Sequence, residues 1–221
     1  MKPDYLVHEL KYQEARTKGW PGWGGPERMA GEGIWLDRLF SYGGVPSSGR
    51  ALELGCGEGH YSRLLAEKGY EVVGVDVSET AIQWAKEKTT DTRYEIEYYQ
   101  LDLSKPGILA SDSFDLIADG NCLHCIIGED RENFLANIRR LLAPNGLFFI
   151  STLLSLNDTN TIIDLKGIPY RHVPSETNLR IELDEAGFVI RKFVAHPRWK
   201  GFGHADTRHA TVHLTKDTSN Q

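Results

Sequence analysis

Residues 52–59, Leu-Glu-Leu-Gly-Cys-Gly-Glu-Gly, place one carboxylate, Glu53, ahead of three alternating glycines, Gly55, Gly57 and Gly59. Glycines at this spacing let a backbone turn approach a ligand closely, where any Cβ would intrude. A second acid, Asp76, ends the apolar run Val72-Val73-Gly74-Val75, and a third, Asp102, follows Tyr98-Tyr99-Gln100-Leu101. In a βαβ unit, a carboxylate in the position of Asp76 lies beside the ribose of a nucleoside. One in the position of Asp102 is placed to accept from an adenine amino group. The chemistry indicated is the binding of an adenosine-containing cofactor.

Spacing and charge narrow the choice of cofactor. G-x-G-x-G differs from the G-x-G-x-x-G that seats a helix N-terminus on a pyrophosphate. Glu53 would repel a diphosphate but suits the ammonium group and nearby sulfonium of a methionine moiety. No Gly-Lys-Ser/Thr follows the glycines, which excludes a P-loop. An NAD-dependent oxidoreductase is disfavoured by the same two features.

The elements that must hold these residues alternate along the chain. Strands are expected over 50–54, 71–76, 94–101, 114–119 and 146–153, and helices over 60–68, 79–89, 130–142 and 176–186. Ser78 and Asp130 are candidate N-caps. Such alternation predicts an α/β fold, a parallel sheet covered by helices on both faces with its ligand at the carboxyl ends of the strands. Ahead of it, Lys18-Gly19-Trp20-Pro21-Gly22-Trp23-Gly24-Gly25-Pro26 is incompatible with helix or central strand. Two tryptophans in that tract suit either a flap ordered on binding or a loop packed on the surface. Residues 31–42 read as a helix with Ile34, Trp35, Leu36, Leu39 and Phe40 on one side.

The chain of 221 residues fits one domain with a substantial core, and 40% of its residues are hydrophobic. No run approaches the ~20 apolar residues of a membrane span, and the N-terminus lacks the apolar segment of a signal peptide. Three cysteines, all in or beside the expected site, suit a reducing cytoplasm rather than a disulfide framework. A net charge of −6 offers no general attraction to nucleic acid. A small molecule is therefore the expected partner, and nothing marks an oligomeric interface.

Five segments taken together resemble the class I S-adenosylmethionine-dependent methyltransferases. They are Leu52 to Gly59, Gly74-Val75-Asp76-Val77-Ser78, Leu101-Asp102-Leu103, and Phe114 to His124 followed by Leu141-Leu142-Ala143-Pro144-Asn145-Gly146-Leu147. Asn145 stands where that family's turn has a glycine. The resemblance runs over about 50–152 and more loosely beyond. It implies a Rossmann-like seven-stranded sheet, mostly parallel, with an antiparallel last strand over 209–215. It also implies S-adenosyl-L-methionine as cofactor, with Gly55, Cys56, Gly57 and Gly59 shaping its turn. Glu53, Asp119 and Gly120 would border the methionine end, Asp76 and Val77 the ribose, and Asp102 and Leu103 the adenine. Residues 1–49 would form a flap and helix over a single core domain of 50–221.

Methyl transfer from a sulfonium is an in-line displacement, so much of the catalysis is alignment and exclusion of water. His124, just beyond the fourth strand, is the candidate base; the resemblance instead implies that a histidine there supports the loop. Cys122 and Cys125 form one C-x-x-C, which without further ligands gives no zinc site, so no metal is expected. Candidate acceptor-binding residues are Tyr12, Trp20, Trp23 and Arg28 in the flap, Tyr170 in the insertion at 154–174, and Arg198 in the basic, aromatic loop at 196–204. The expected function is methylation of a small molecule. Methylation of RNA or protein, and cofactor sensing without catalysis, stand as alternatives.

Overall fold

The computed structural model describes residues 4–26, 32–197 and 206–217. The elements, in chain order, are α1 (Leu6–Thr17), α2 (Glu32–Leu39), β1 (Gly49–Leu54), α3 (His60–Glu67), β2 (Tyr70–Asp76), α4 (Glu79–Thr89), β3 (Ile96–Gln100) and β4 (Phe114–Gly120). A short 3-10 turn (Leu123–Cys125) follows, then α5 (Asp130–Leu141), β5 (Leu142–Ser155), β6 (Thr161–Leu165), β7 (Ile168–Val173), α6 (Glu176–Glu185), β8 (Phe188–Ala195) and β9 (Thr207–Lys216).

Seven strands form one sheet in the order β3-β2-β1-β4-β5-β9-β8. All neighbours pair in parallel except that β9 runs antiparallel to both β5 and β8. This is the Rossmann-like arrangement expected from the alternation and the resemblance. Successive side chains on a strand point to opposite faces, so a strand covered on both sides must be apolar at every position. Leu52, Leu54, Val73, Val75, Ile117, Phe148 and Ile150 accordingly join one core, which α5 and α6 cover. Their neighbours Ala51, Val72, Leu116, Ala118, Leu147 and Phe149 join a second core, under Trp35 and Leu39 of α2 and Leu65 of α3. Phe148 and Phe149 are both fully buried, one in each core, and each is worth roughly 2–3 kcal/mol of burial.

Several expectations need correction. A helix, α1, stands ahead of the Gly/Pro tract, where no element was expected. On α2, Trp35 and Leu39 are buried, but Ile34 and Phe40 are 40% and 38% exposed, so the apolar side is narrower than proposed. Asp130 is the first residue of α5 rather than its cap, and its carboxylate accepts from the Tyr5 hydroxyl at 3.0 Å. The insertion at 154–174 contains the hairpin β6–β7, a separate two-stranded sheet. Ser78 does cap α4, its Oγ accepting from the Ala81 N–H at 3.0 Å. Among the described residues, no helix is long and apolar enough to cross a membrane.

Candidate active site

The carboxyl ends of β1, β2 and β4 open into a cleft with about 1150 Å³ of empty space, open solvent at its mouth included. The glycine turn after β1 forms its floor. Gly57 has φ +55° and a Cβ there would come within 2.8 Å of the Tyr12 hydroxyl. Gly55 has φ +62° and a Cβ there would press on Cys122 at 3.0 Å. Both positions combine left-handed backbone with a crowded neighbour, the two conditions that select glycine. Gly59 begins α3 and lies outside the lining.

Asp76, 6% exposed, is the hub of this floor. Its Oδ2 accepts from the Gly57 N–H at 3.0 Å and the Tyr12 hydroxyl at 3.3 Å, and its Oδ1 from the Ser78 N–H at 2.9 Å. Burial pushes its carboxyl above the usual range, opposed by those hydrogen bonds. Glu53 is 1% exposed and accepts from the Ser62 hydroxyl. Burial raises its pKa to about 8, which the Ser62 bond opposes and the nearby Glu58 reinforces. A carboxyl this poised gains most from a cation brought into the cleft. Asp102 and Leu103 line the adjoining wall, with Asp102 folded onto the Ser104 N–H at 3.0 Å and paired with Lys105. Despite its partial burial the Asp102 carboxyl lies below its usual range, because Lys105 and Ser104 bond to it. Val77 and Gly120 also line the cleft.

Asp119 does not line it. It is fully buried, and its carboxylate accepts from the Cys122 N–H and from the Leu123 N–H at 3.0 Å, which caps the 3-10 turn. Burial lifts it to about 7 against those two bonds. His124, on that turn, lines the cleft and is 4% exposed. Its Nδ1 accepts from the Leu153 N–H at 3.4 Å, with the Thr152 Oγ1 also at 3.4 Å.

Tyr5, His8, Tyr12 and Trp23 of the N-terminal segment line the cleft. Tyr12 and Trp23 pack at 4.8 Å between ring centroids. Trp20 lies outside the lining, against Ala81 and Trp84 on α4, with Lys18 over its ring at 4.7 Å. Tyr170 stands one layer back, stacked on His8 at 5.3 Å. Arg28 and Arg198 lie outside the described residues. Glu9 fastens α1 to the start of α4, accepting from the Ser78 hydroxyl at 2.6 Å, the Thr80 N–H at 3.2 Å and the Thr80 hydroxyl. An added salt bridge joins Arg16 to Glu87 at 2.7 Å. Losing the Glu9 bonds removes roughly 1.5 kcal/mol of docking. In Glu9→Ala we therefore expect tryptic cleavage after Arg16 and Lys18 to accelerate about tenfold with little change in global melting. An unaltered cleavage rate would count against this fastening.

His8, Arg171 and Asn121 line the cleft but were not among the candidate site residues, although Arg171 lies in the insertion at 154–174. His8 and Arg171 are polar residues on amphipathic elements, and Asn121 follows β4 with φ +82°. The Oδ1 of Asn121 is buried without a hydrogen-bond partner. A strained backbone and an orphan acceptor at one residue are common where a ligand completes the structure. Cys56, Cys122 and Cys125 line the cleft too; burial pushes the Cys56 and Cys122 thiols up, as for apolar side chains. Among the described residues, no group of three or more His, Cys, Asp or Glu is placed to hold a metal ion.

The sheet is thus Rossmann-like, with its cleft at the carboxyl ends of the strands. A family profile described as a methyltransferase domain matches residues 52–150. An uncharacterized methyltransferase of Schizosaccharomyces pombe is 31% identical over 106 residues, 48% of this chain and 72% of that protein. A ubiquinone biosynthesis O-methyltransferase of Stutzerimonas stutzeri is 26% identical over 119 residues, 54% of this chain and 49% of that one. In fold, the chain is similar to a Burkholderia thailandensis 1,6-didemethyltoxoflavin-N1-methyltransferase solved with 1,6-didemethyltoxoflavin and S-adenosylhomocysteine. The TM-score is 0.69 and the identity 22%, covering 98% of this chain and 91% of that one. The protein belongs to the class I S-adenosylmethionine-dependent methyltransferases.

Proposed function

We propose that this enzyme methylates a small molecule held beneath the N-terminal segment. The observation that carries this reading is α1 itself. It is fastened over the cleft by Glu9 and Arg16, with His8 and Tyr12 pointing into the site. A roofed cleft admits a small acceptor and excludes bulk water, whereas a polymer needs an open groove.

The chain's own residues fit the cofactor. The Gly55–Gly57 floor offers close backbone approach, Glu53 and the Asn121 Oδ1 offer acceptors for the methionine ammonium, and Asp76 offers its carboxylate to the ribose hydroxyls. Tyr12 now shares that carboxylate and would adjust as the ribose arrives. Asp102 and Leu103 frame the adenine. When bound, S-adenosylmethionine would supply an electrophilic methyl group, with the neutral thioether as its leaving group. The protein's work is then to orient the acceptor and keep the site dry.

His124 serves this arrangement as a positioning residue. Its Nδ1 is engaged by the Leu153 N–H and lies beside the Thr152 Oγ1, both at 3.4 Å, which ties the ring to the end of β5. Base catalysis contributes about 10²–10⁴-fold. His124→Asn is instead expected to lower kcat/KM by less than about tenfold and to leave the pH–rate profile in place. Loss of the acidic limb of that profile would restore the base role.

The substrate class is tested by incubating the protein with methyl-labelled S-adenosylmethionine and a cell extract divided into low-mass, protein and RNA fractions. Label in the low-mass fraction is the expected result. Label confined to protein or RNA would overturn the reading.

A further inference from the structure

Two arginines are nearly as buried as any leucine in this protein, and they are treated in opposite ways. Arg131 is 4% exposed and paired in bidentate fashion with Glu182 at 2.6 and 2.7 Å. Arg171 is 8% exposed, lines the cleft, and has no ion pair among the described residues. No carboxylate is among its hydrogen-bond partners: Nη1 donates to the Cys125 Sγ and the Tyr170 carbonyl, both at 3.1 Å, and Nη2 to the Tyr170 hydroxyl at 2.8 Å. The Tyr170 ring lies 3.7 Å beneath it. A guanidinium has five N–H donors in a fixed fork, so three such bonds leave donors unspent at the cleft.

A desolvated cation without a counter-charge costs several kcal/mol unless something compensates it. Tyr170 holds the fork rigid from below and behind, but it does not neutralise it. His8 adds no second positive charge, because burial first and Arg171 second lower its pKa to about 3. We propose that Arg171 is the binding site for an oxyanion on the acceptor, a carboxylate or phosphoryl group, so that the substrate is a small acid. This rests on the small-molecule reading above and makes it narrower.

The position favours the acceptor over the cofactor's own carboxylate. Arg171 comes from β7 and meets Cys125 at the far end of the 3-10 turn and His8 of α1. The cofactor floor, by contrast, is built from the turn after β1 and the end of β2, with Cys122 at its near edge. Planar bidentate recognition is what arginine does better than lysine. The remaining lining from Tyr5, His8, Trp23 and Phe134 suits an apolar or aromatic body behind the acid.

The test is calorimetric titration of protein saturated with S-adenosylhomocysteine, using benzoate, benzamide and inorganic phosphate as probes, on the wild type, Arg171→Gln and Arg171→Lys. Melting curves establish that each variant is folded. Benzoate should bind at least tenfold more tightly than isosteric benzamide. That preference should vanish in Arg171→Gln and survive in part in Arg171→Lys. Phosphate binding in place of benzoate, with the same dependence on Arg171, assigns the oxyanion to a phosphoryl group and also supports the site. Equal affinity for benzoate and benzamide, or benzoate binding that ignores Arg171→Gln, overturns it. So does a wild type that takes up S-adenosylhomocysteine but none of the anions. A large loss of S-adenosylhomocysteine affinity in Arg171→Gln, with anion binding intact, would reassign Arg171 to the cofactor carboxylate. Each of these leaves the small-molecule reading standing, which only the labelled-methyl fractionation decides.

Discussion

Arg131→Met is expected to destabilise the protein by about 3 kcal/mol, within the range seen when one member of a buried ion pair is removed. The arginine does more than face Glu182. Its Nη1 also donates to the Leu123 and Ile126 carbonyls at 2.7 and 3.1 Å. One side chain therefore ties α5 to α6 and caps the 3-10 turn that carries His124 and Cys125. Methionine fills the volume but leaves the Ile126 carbonyl and the Glu182 carboxylate without their partner, while the Leu123 carbonyl keeps only the Ile126 N–H at 3.1 Å. The Glu182 side chain is 25% exposed, so water recovers part of its loss and the lower end of the range applies. For a chain of this size, the deficit corresponds to a melting point lower by roughly 6–12 °C. Adding Glu182→Leu should restore part of it, because the second change removes the orphaned charge. Melting and urea unfolding of the three variants would decide; a deficit under about 1 kcal/mol would mean the pair behaves as a surface salt bridge.

Arg131 also illustrates why part of this site could not be read from the chain. The glycine turn and the acids at or just beyond the ends of β1, β2 and β3 are legible because stereochemistry and period-2 burial leave little choice of residue there. The two cores follow from the same alternation. The helix α1 is illegible for the opposite reason. Its inward residues are His8, Tyr12 and Ala15, while Leu6 and Leu10 are 69% and 63% exposed. Helical spacing is present, but the polar residues face inward because what they face is a ligand cleft. Asp119 shows a different limit. A carboxylate at the end of β4 has the same type and spacing as one facing a ligand, yet this one turns back to cap the next turn. Arg171 and Arg131 look alike in sequence, and only the third dimension shows that one has a carboxylate and the other does not.

Glu53→Gln is expected to move stability and cofactor binding in opposite directions. In the ligand-free fold the Glu53 carboxyl titrates at about 8 rather than at its ordinary 4.5. Between those values it is protonated only in the folded state, so the fold holds the extra proton and loses stability as pH rises through this window. Above about 8 the cost of an ionised, buried carboxylate is fully expressed. Glutamine stays neutral throughout and keeps an oxygen for the Ser62 hydroxyl. The ligand-free variant should therefore come close to the wild type near pH 5 and exceed it by roughly 3 kcal/mol at pH 8. Cofactor binding reverses the sign, because the methionine ammonium calls for the charged form. A charge-assisted hydrogen bond is worth about 1.5–3 kcal/mol, so the variant's Kd for S-adenosylhomocysteine should rise about 10–100-fold. Wild-type affinity should strengthen as pH climbs toward 8, since the proton need no longer be expelled, and the variant's affinity should lack that slope. Paired melting curves and titrations at pH 6, 7 and 8 test both halves. A variant that gains stability at pH 8 without losing cofactor affinity would show that Glu53 is poised for something other than the ammonium. A variant that loses both would show that its charge is already offset in the ligand-free fold.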